Sequence, residues 1–359
     1  MPDQRKVLAR LRKEVDKFLR AKENAQAASA VAYYDDFADR LMPELERMLK
    51  SAERDGSLSY QDYKRLQLDL LTRRMVENLL PELNQNVTNT LRDSMEAMYQ
   101  DAYLQNAWAL DNVTPPNAII KTDQIIQSYP TSEGYDVPAQ TEYAKQLIAT
   151  DWQGAMFSQR IGAISDAMAR DIQTITTDAA INGQSVSDLS QAIRNLIGVD
   201  DGEYLTTRPR ASRAKYRADT IARSELNRMI NSGKLSLFDQ NKDLISEVVW
   251  SSAPGPTAMG YSACEDCEGR DGMTRTQIMD GEQEDDNEEI DPPLHPRCRC
   301  TWVAQPKSYL ELLGPEWGKN MSEFEHADEY EMKYYDPDGS KIASMTVQPY
   351  DEWLAERAG

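Results

Sequence analysis

The chain has 359 residues, with 60 Asp or Glu against 40 Lys or Arg, a formal net charge of −20 at pH 7 and an isoelectric point near 4.6. Non-specific affinity for nucleic acid comes from many Lys and Arg contacts that displace counterions, so this balance excludes a protein whose whole surface neutralises phosphates. A hydrophobic share of 40% supports packed cores in two or three domains, and no run reaches the roughly 18 apolar residues of a membrane span.

Met1 to Arg20 interleaves Lys, Arg, Glu and Asp with single apolar residues, unlike the apolar core of a signal peptide, and this points to an intracellular origin. Val7, Leu8, Leu11, Val15 and Phe18 recur at three- and four-residue spacing and predict a first helix. Leu80, Leu83, Val87, Leu91, Met95, Met98 and Ala102 form a second stripe, on a helix spanning roughly residues 82–110. One stripe is too narrow to be a core and needs partners. Those expected are the Val7 to Arg20 helix and the segment around Tyr63, Leu66 and Leu70. The turn Arg54-Asp55-Gly56-Ser57 makes one corner of an N-terminal helical bundle over residues 1–110.

Residues 111–154 change texture. Pro115-Pro116, Pro130, Gly134 and Pro138 interrupt any long period, which predicts a linker or extended excursion. Helical spacing returns at Ile161, Ile164, Met168, Ile172, Ile175 and Ala179 and stops at Asn182-Gly183. Ser185-Val186-Ser187-Asp188 places a capping hydroxyl three residues ahead of an acid and starts a short helix that Gly198 closes. A further helix is expected from Ala211 to Asn241, with Arg223-Ser224-Glu225 on an ordinary charged face. Glu247 to Trp250 and Thr301 to Val303 read as strands. After Pro306 the tail holds twelve acids against five bases and is expected to have weak structure of its own.

The four cysteines all lie between positions 264 and 300. Cys264-Glu265-Asp266-Cys267 is a pair of thiols two residues apart, and His295-Pro296-Arg297-Cys298-Arg299-Cys300 follows it. Two such knuckles can share one tetrahedral ion, and the donor set suits zinc. Cys264, Cys267 and Cys298 are the firmest ligands, with either His295 or Cys300 as the fourth. Closing a loop of this length costs roughly 3 kcal/mol, whereas a structural zinc returns on the order of 10–16 kcal/mol, so the metal would order the hairpin between Trp250 and Trp302. Two disulfides, for example Cys264 with Cys298 and Cys267 with Cys300, are the competing reading.

A catalytic zinc is the sharper alternative. The deaminase order of H-x-E ahead of P-C-x-x-C is absent, since here the C-x2-C precedes the histidine, and His326-Ala327-Asp328 comes last with Asp in place of Glu. There is no H-E-x-x-H helix, phosphate loop or nucleophile elbow. Glu265, Asp266 and Glu268 are near enough in sequence to serve as a base for a hydrolase. Asp280 to Asp291 holds eight acids in twelve positions without calcium-loop spacing and reads as a solvated loop. That acidity also argues against a nucleic-acid-binding zinc ribbon.

The run Pro292-Pro293-Leu294-His295-Pro296-Arg297-Cys298-Arg299-Cys300-Thr301, preceded by the C-x2-C pair, resembles the signature of the phage Mu F-like minor head protein family, also called phage head morphogenesis proteins. Ala222-Arg223-Ser224-Glu225 ahead of Trp250, and the helical pair from Ile161 to Leu196, are similar to that family too. The resemblance covers roughly residues 155–305. It implies a non-enzymatic minor capsid protein of a tailed phage, resident in the virion head and assembled in the host cytoplasm. Its partners would be the portal protein and the major capsid or scaffold protein, with roles in DNA packaging or ejection. Weak contact with packaged DNA falls to the basic first helix, which has eight Lys or Arg against four acids in residues 1–24. The alternative is a virion-delivered zinc-dependent hydrolase, nuclease or toxin.

The expected architecture is therefore mainly α with a small α+β C-terminal module. It comprises an N-terminal helical bundle (1–110), a linker (111–154), a Mu F-like module of central helices and a zinc-clamped β-hairpin (155–305), and an acidic tail (306–359).

Overall fold

The computed structural model describes residues 2–114, 120–121, 139–152, 154–199, 213–252, 265–281, 290–308, 311–312, 331–335 and 341–358. The chain is mainly helical and divides into two compact units, each built from separate stretches of sequence.

One unit comprises Asn24–Ser94 and Ile148–Glu225. It holds the end of α1 (Pro2–Val31), then α2 (Tyr33–Lys50), the hairpin β1 (Glu53–Arg54) with β2 (Ser57–Leu58), and α3 (Tyr60–Arg65). The first part of α4 (Leu68–Asp111) follows. Asp55 and Gly56 stand at φ 50° and 78°, the paired left-handed geometry that a two-residue hairpin turn requires. Tyr63 is buried, as its expected role demands, but Leu66 and Leu70 are 37% and 40% exposed and do not join the core. The stripe from Leu80 to Ala102 is buried throughout. Its helix begins at Leu68, earlier than the expected start near 82, and passes through Pro81. Leu68, Val76, Leu80 and Leu83 keep one face buried across that proline, which itself faces outward, so packing outweighs the local break.

The same unit contains α5 (Ala139–Ala149) only in its last residues, then α6 (Phe157–Ile181) and α7 (Val186–Ile197). Ile161, Ile164, Met168, Ile172 and Ala179 are buried on α6, which ends at Asn182 with Gly183 left-handed. The Ser185 hydroxyl accepts the Asp188 N–H at 3.0 Å, and Gly198 closes α7 at φ 95°. The start of α8 (Ala214–Gln240) completes this unit, with Ala214 and Ala218 in its core.

The other unit comprises Met1–Glu23, Met95–Leu147 and Leu226–Gly359. Val7, Leu8, Leu11 and Val15 of α1 are buried, while Phe18 is 41% exposed and Leu19 takes the inward position. The expected linker is helical over α5, where Ala144 and Ile148 are buried.

The strand β3 (Ile245–Ser251) pairs antiparallel with β4 (Thr301–Pro306), Trp250 opposite Trp302. Between them lie the helical turns α9 (Glu265–Gly269) and α10 (Arg275–Gly281). The tail carries more structure than its composition suggested. A hairpin of β5 (Glu331–Tyr335) and β6 (Lys341–Thr346) precedes α11 (Tyr350–Ala358), and Trp353 is buried. Among the described residues, no helix is long and apolar enough to cross a membrane.

Candidate metal centre

The centre lies at the mouth of the β3–β4 hairpin, where the chain has little apolar material of its own. The two tryptophans anchor it, their ring centroids 5.3 Å apart at 88°. The backbone of Trp250 donates to Met273 at 2.8 Å and accepts from Gly272 at 3.0 Å, so the segment that follows α9 is tied to β3. Trp302 donates its indole N–H to Asp291 at 3.0 Å, and Arg275 grips the same carboxylate at 3.1 and 3.2 Å. Asp291 is therefore a structural partner here, while residues 282–289 of the acidic loop lie outside the described residues.

His295-Pro296-Arg297-Cys298 forms a tight turn in which the Cys298 N–H donates to His295 at 3.0 Å. Arg297 stands at φ 62°, left-handed, after a proline that presets the preceding residue. This turn delivers Cys298 to the cluster. Cys300 follows two residues on, and extended chain brings every second side chain to one face.

Cys267, Cys298 and Cys300 are buried, and their sulfurs lie within 4.8 Å of one another. The Cys267 and Cys298 sulfurs are 3.8 Å apart, and His295 Nε2 lies 3.3 Å from the Cys267 sulfur. A tetrahedral ion with metal–sulfur bonds of about 2.3 Å sets its sulfurs about 3.8 Å apart, so the spacing fits the donor set. His295 Nδ1 stands 3.0 Å from the Pro296 carbonyl, which can only accept. That bond puts the proton on Nδ1 and leaves the Nε2 lone pair toward the sulfurs, the arrangement common to metal-bound histidines. The Cys298 thiol is pushed down to about 4, first by a hydrogen bond from Cys300 and against the effect of burial. A pocket that favours thiolate is one that can hold a cation. The cluster could thus hold a metal ion.

Of the five residues singled out by spacing, the structure brings four into one neighbourhood. Cys264 lies outside the described residues, as does His326. Glu265, Asp266 and Glu268 are exposed on α9, whereas Cys267 on the same turn is buried. Arg223-Ser224-Glu225 is not a solvated face. Ser224 and Glu225 are buried, Arg160 pairs with Glu225, and Arg223 donates to Asp219 at 3.0 Å.

Sequence reasoning missed Asn227, Asn231 and Lys234 on α8, all buried and bonded to the segment from Cys298 to Trp302. Three polar residues at four- and three-residue spacing beside Leu226, Met229 and Ile230 were the available signal.

Residues 170–303 match the family described as Phage Mu protein F like protein. The matched segment thus takes in the last twelve residues of α6, all of α7, α8 and β3, and the described cysteines. The match covers residues 170–303 alone, less than half of the chain. No curated protein and no solved structure gives a significant match to the chain.

Proposed function

We propose that this protein is a non-enzymatic minor capsid component of a tailed phage head, assembled in the host cytoplasm and retained in the virion. In this reading the cluster binds one structural zinc through Cys267, Cys298, Cys300 and His295, with Cys264 the alternative to His295. The metal holds the β3–β4 hairpin as a rigid docking surface for the portal protein and for the major capsid or scaffold protein. The segment 155–305 is the docking module, and DNA packaging or ejection is the process it serves. Arg10, Lys13 and Lys17, exposed on α1, are the place for weak contact with packaged DNA.

The observation that carries the proposal is the coincidence of the Phage Mu F-like match with the buried thiol cluster. Four ligands from the chain would close the coordination sphere, which is the mark of a structural site; a hydrolytic site keeps one position open for water. The test is complementation of a phage lacking this gene. Wild-type protein should be found in purified heads with about one zinc per chain by elemental analysis. Cys298→Ser should yield aberrant or empty heads, whereas Glu265→Gln, Asp266→Asn and Glu268→Gln together should leave head formation normal. Normal infectious heads with Cys298→Ser, or a protein absent from heads, would refute the proposal.

A further inference from the structure

The segment that carries Cys298 and Cys300 makes no strand pairing until Thr301, yet its carbonyls are buried and satisfied. Asn227 supplies the bonds: its Nδ2 donates to the Cys298 carbonyl at 2.9 Å and to the Cys300 carbonyl at 3.3 Å. One helical turn on, Asn231 donates from Nδ2 to the Asn227 carbonyl at 3.0 Å and to the Cys300 carbonyl at 3.3 Å. Its Oδ1 accepts the Trp302 N–H and the Thr301 hydroxyl, each at 2.9 Å. Lys234 then donates to the Thr301 hydroxyl at 2.8 Å and to Asp16 at 3.2 Å. Asn227 and Asn231 are 6% and 1% exposed, so water does not compete for these bonds.

We infer that Asn227 and Asn231 are positioning residues for the metal, fixing the peptide planes that follow Cys298 and Cys300 so that the two sulfurs face one point. The inference rests on the metal reading above. The physical reason is preorganisation. Two carbonyls held by one amide lock the backbone torsions between them, and the direction of each Cα–Cβ bond follows from those torsions. Outer-shell bonds of this kind orient ligands before the ion arrives, and their loss weakens metal binding about 10- to 100-fold. A rigid helix is a more accurate support for such a site than the hairpin loop itself.

The role separates cleanly from mere packing. If the amides only satisfied buried carbonyls, their removal would destabilise the metal-free and metal-bound protein equally and leave the affinity unchanged. The experiment measures zinc affinity by chelator competition, and the absorption spectrum after cobalt(II) substitution, for the full chain and its Asn227→Ala and Asn231→Asp variants. Asn231→Asp keeps an acceptor for Trp302 and Thr301, removes the donor to the Cys300 carbonyl and adds a buried charge near Lys234, which shares the Thr301 hydroxyl, so it serves where Asn227→Ala fails to fold. Asn241→Ala is the control. Asn241 is as deeply buried and donates to the Leu237 carbonyl at 2.9 Å, but is bonded to Lys121 and not to the cysteines. Expected are about 10- to 100-fold weaker zinc binding and altered cobalt bands for the two ladder variants, with wild-type affinity for the control. Folded ladder variants within about twofold of wild type would overturn the inference, since that is well below any outer-shell effect. A wild-type chain that binds neither metal would overturn the metal reading itself.

Discussion

Trp250 and Trp302 face each other across the β3–β4 register, edge to face, with centroids 5.3 Å apart and both side chains almost wholly buried. A two-stranded ladder is marginal by itself in water. This one is held by a large apolar contact at its open end, next to the thiols, and by α8 along the Thr301 and Trp302 side.

Removing one ring should therefore cost more than a typical surface strand position. Trp302→Ala is expected to destabilise by about 3–5 kcal/mol, the range for a buried aromatic truncated to methyl. Trp302→Phe keeps an aromatic contact but gives up part of the ring and the bond to Asp291, which retains Arg275, so a smaller loss of about 1–2 kcal/mol is expected. Denaturant titration, with hydrogen exchange on β3 and β4 as the local readout, distinguishes the two. Equal losses for both variants would contradict the account.

Gly233 gives a prediction with an unusual sign. Alanine in a helix ordinarily gains about 0.5–1 kcal/mol over glycine. A Cβ at Gly233, however, would lie 2.3 Å from the Tyr99 carbonyl oxygen, a backbone atom that cannot swing aside. Gly233→Ala should cost about 1–3 kcal/mol through overpacking between α8 and α4. Gly162→Ala on α6, where a Cβ meets nothing within 4 Å, should show the ordinary gain. Opposite shifts in melting temperature are the expected result.

How much of this was legible in the sequence depended on how local the cause was. The Ser185 cap, the Asn182-Gly183 and Gly198 stops and the Asp55-Gly56 turn are set within a few residues, and the structure has them where the sequence places them. Pro81 misled because a buried stripe on both sides of it outweighs a break that is only local. Phe18 and Leu19 show a slip of one position, which 3.6-residue periodicity tolerates poorly when neighbouring residues are both apolar. The cysteine spacing announced the cluster, but the carbonyls it needs to satisfy belong to backbone. Nothing in the side-chain pattern shows that Asn227 and Asn231 reach them. The tail reads as weakly structured because its anchoring groups, Trp108 and Asp111, lie more than 200 positions away.

Alkaline titration should expose a second consequence of burial. Burial pushes the phenols of Tyr34 and Tyr99 up to about 12, one in each unit. An acid whose folded value lies above its unfolded value of 10 contributes stability that is intact below pH 10. That contribution is lost as pH rises toward 12, by about 2–3 kcal/mol for each group. Absorbance at the phenolate band should rise smoothly for exposed tyrosines above pH 10 and then in a final step coincident with loss of helix. Tyr34→Phe and Tyr99→Phe should each move that step to higher pH. Full phenolate formation with helix retained would contradict the burial of these two rings.

The C-terminal helix supplies the last prediction. Asp111, at the end of α4, accepts from the Trp353 indole at 2.7 Å and from Arg357 at 2.6 Å through the same oxygen. The Trp108 indole donates to the Gln348 carbonyl at 2.7 Å, and Tyr350 stands edge to face with Trp108. Asp111→Ala would leave a buried indole N–H and a guanidinium without their shared acceptor, at an expected cost of about 1–3 kcal/mol. Because α11 is short, that loss falls on its docking and not on the fold of the unit. Hydrogen exchange over residues 350–358 should rise toward unprotected rates, and limited proteolysis should release the last segment, while β3 and β4 stay protected. Asp111→Asn keeps an acceptor and loses the charge, so it should fall between wild type and Asp111→Ala. Unchanged protection of α11 in Asp111→Ala would show that the apolar contacts of Trp353 hold it alone.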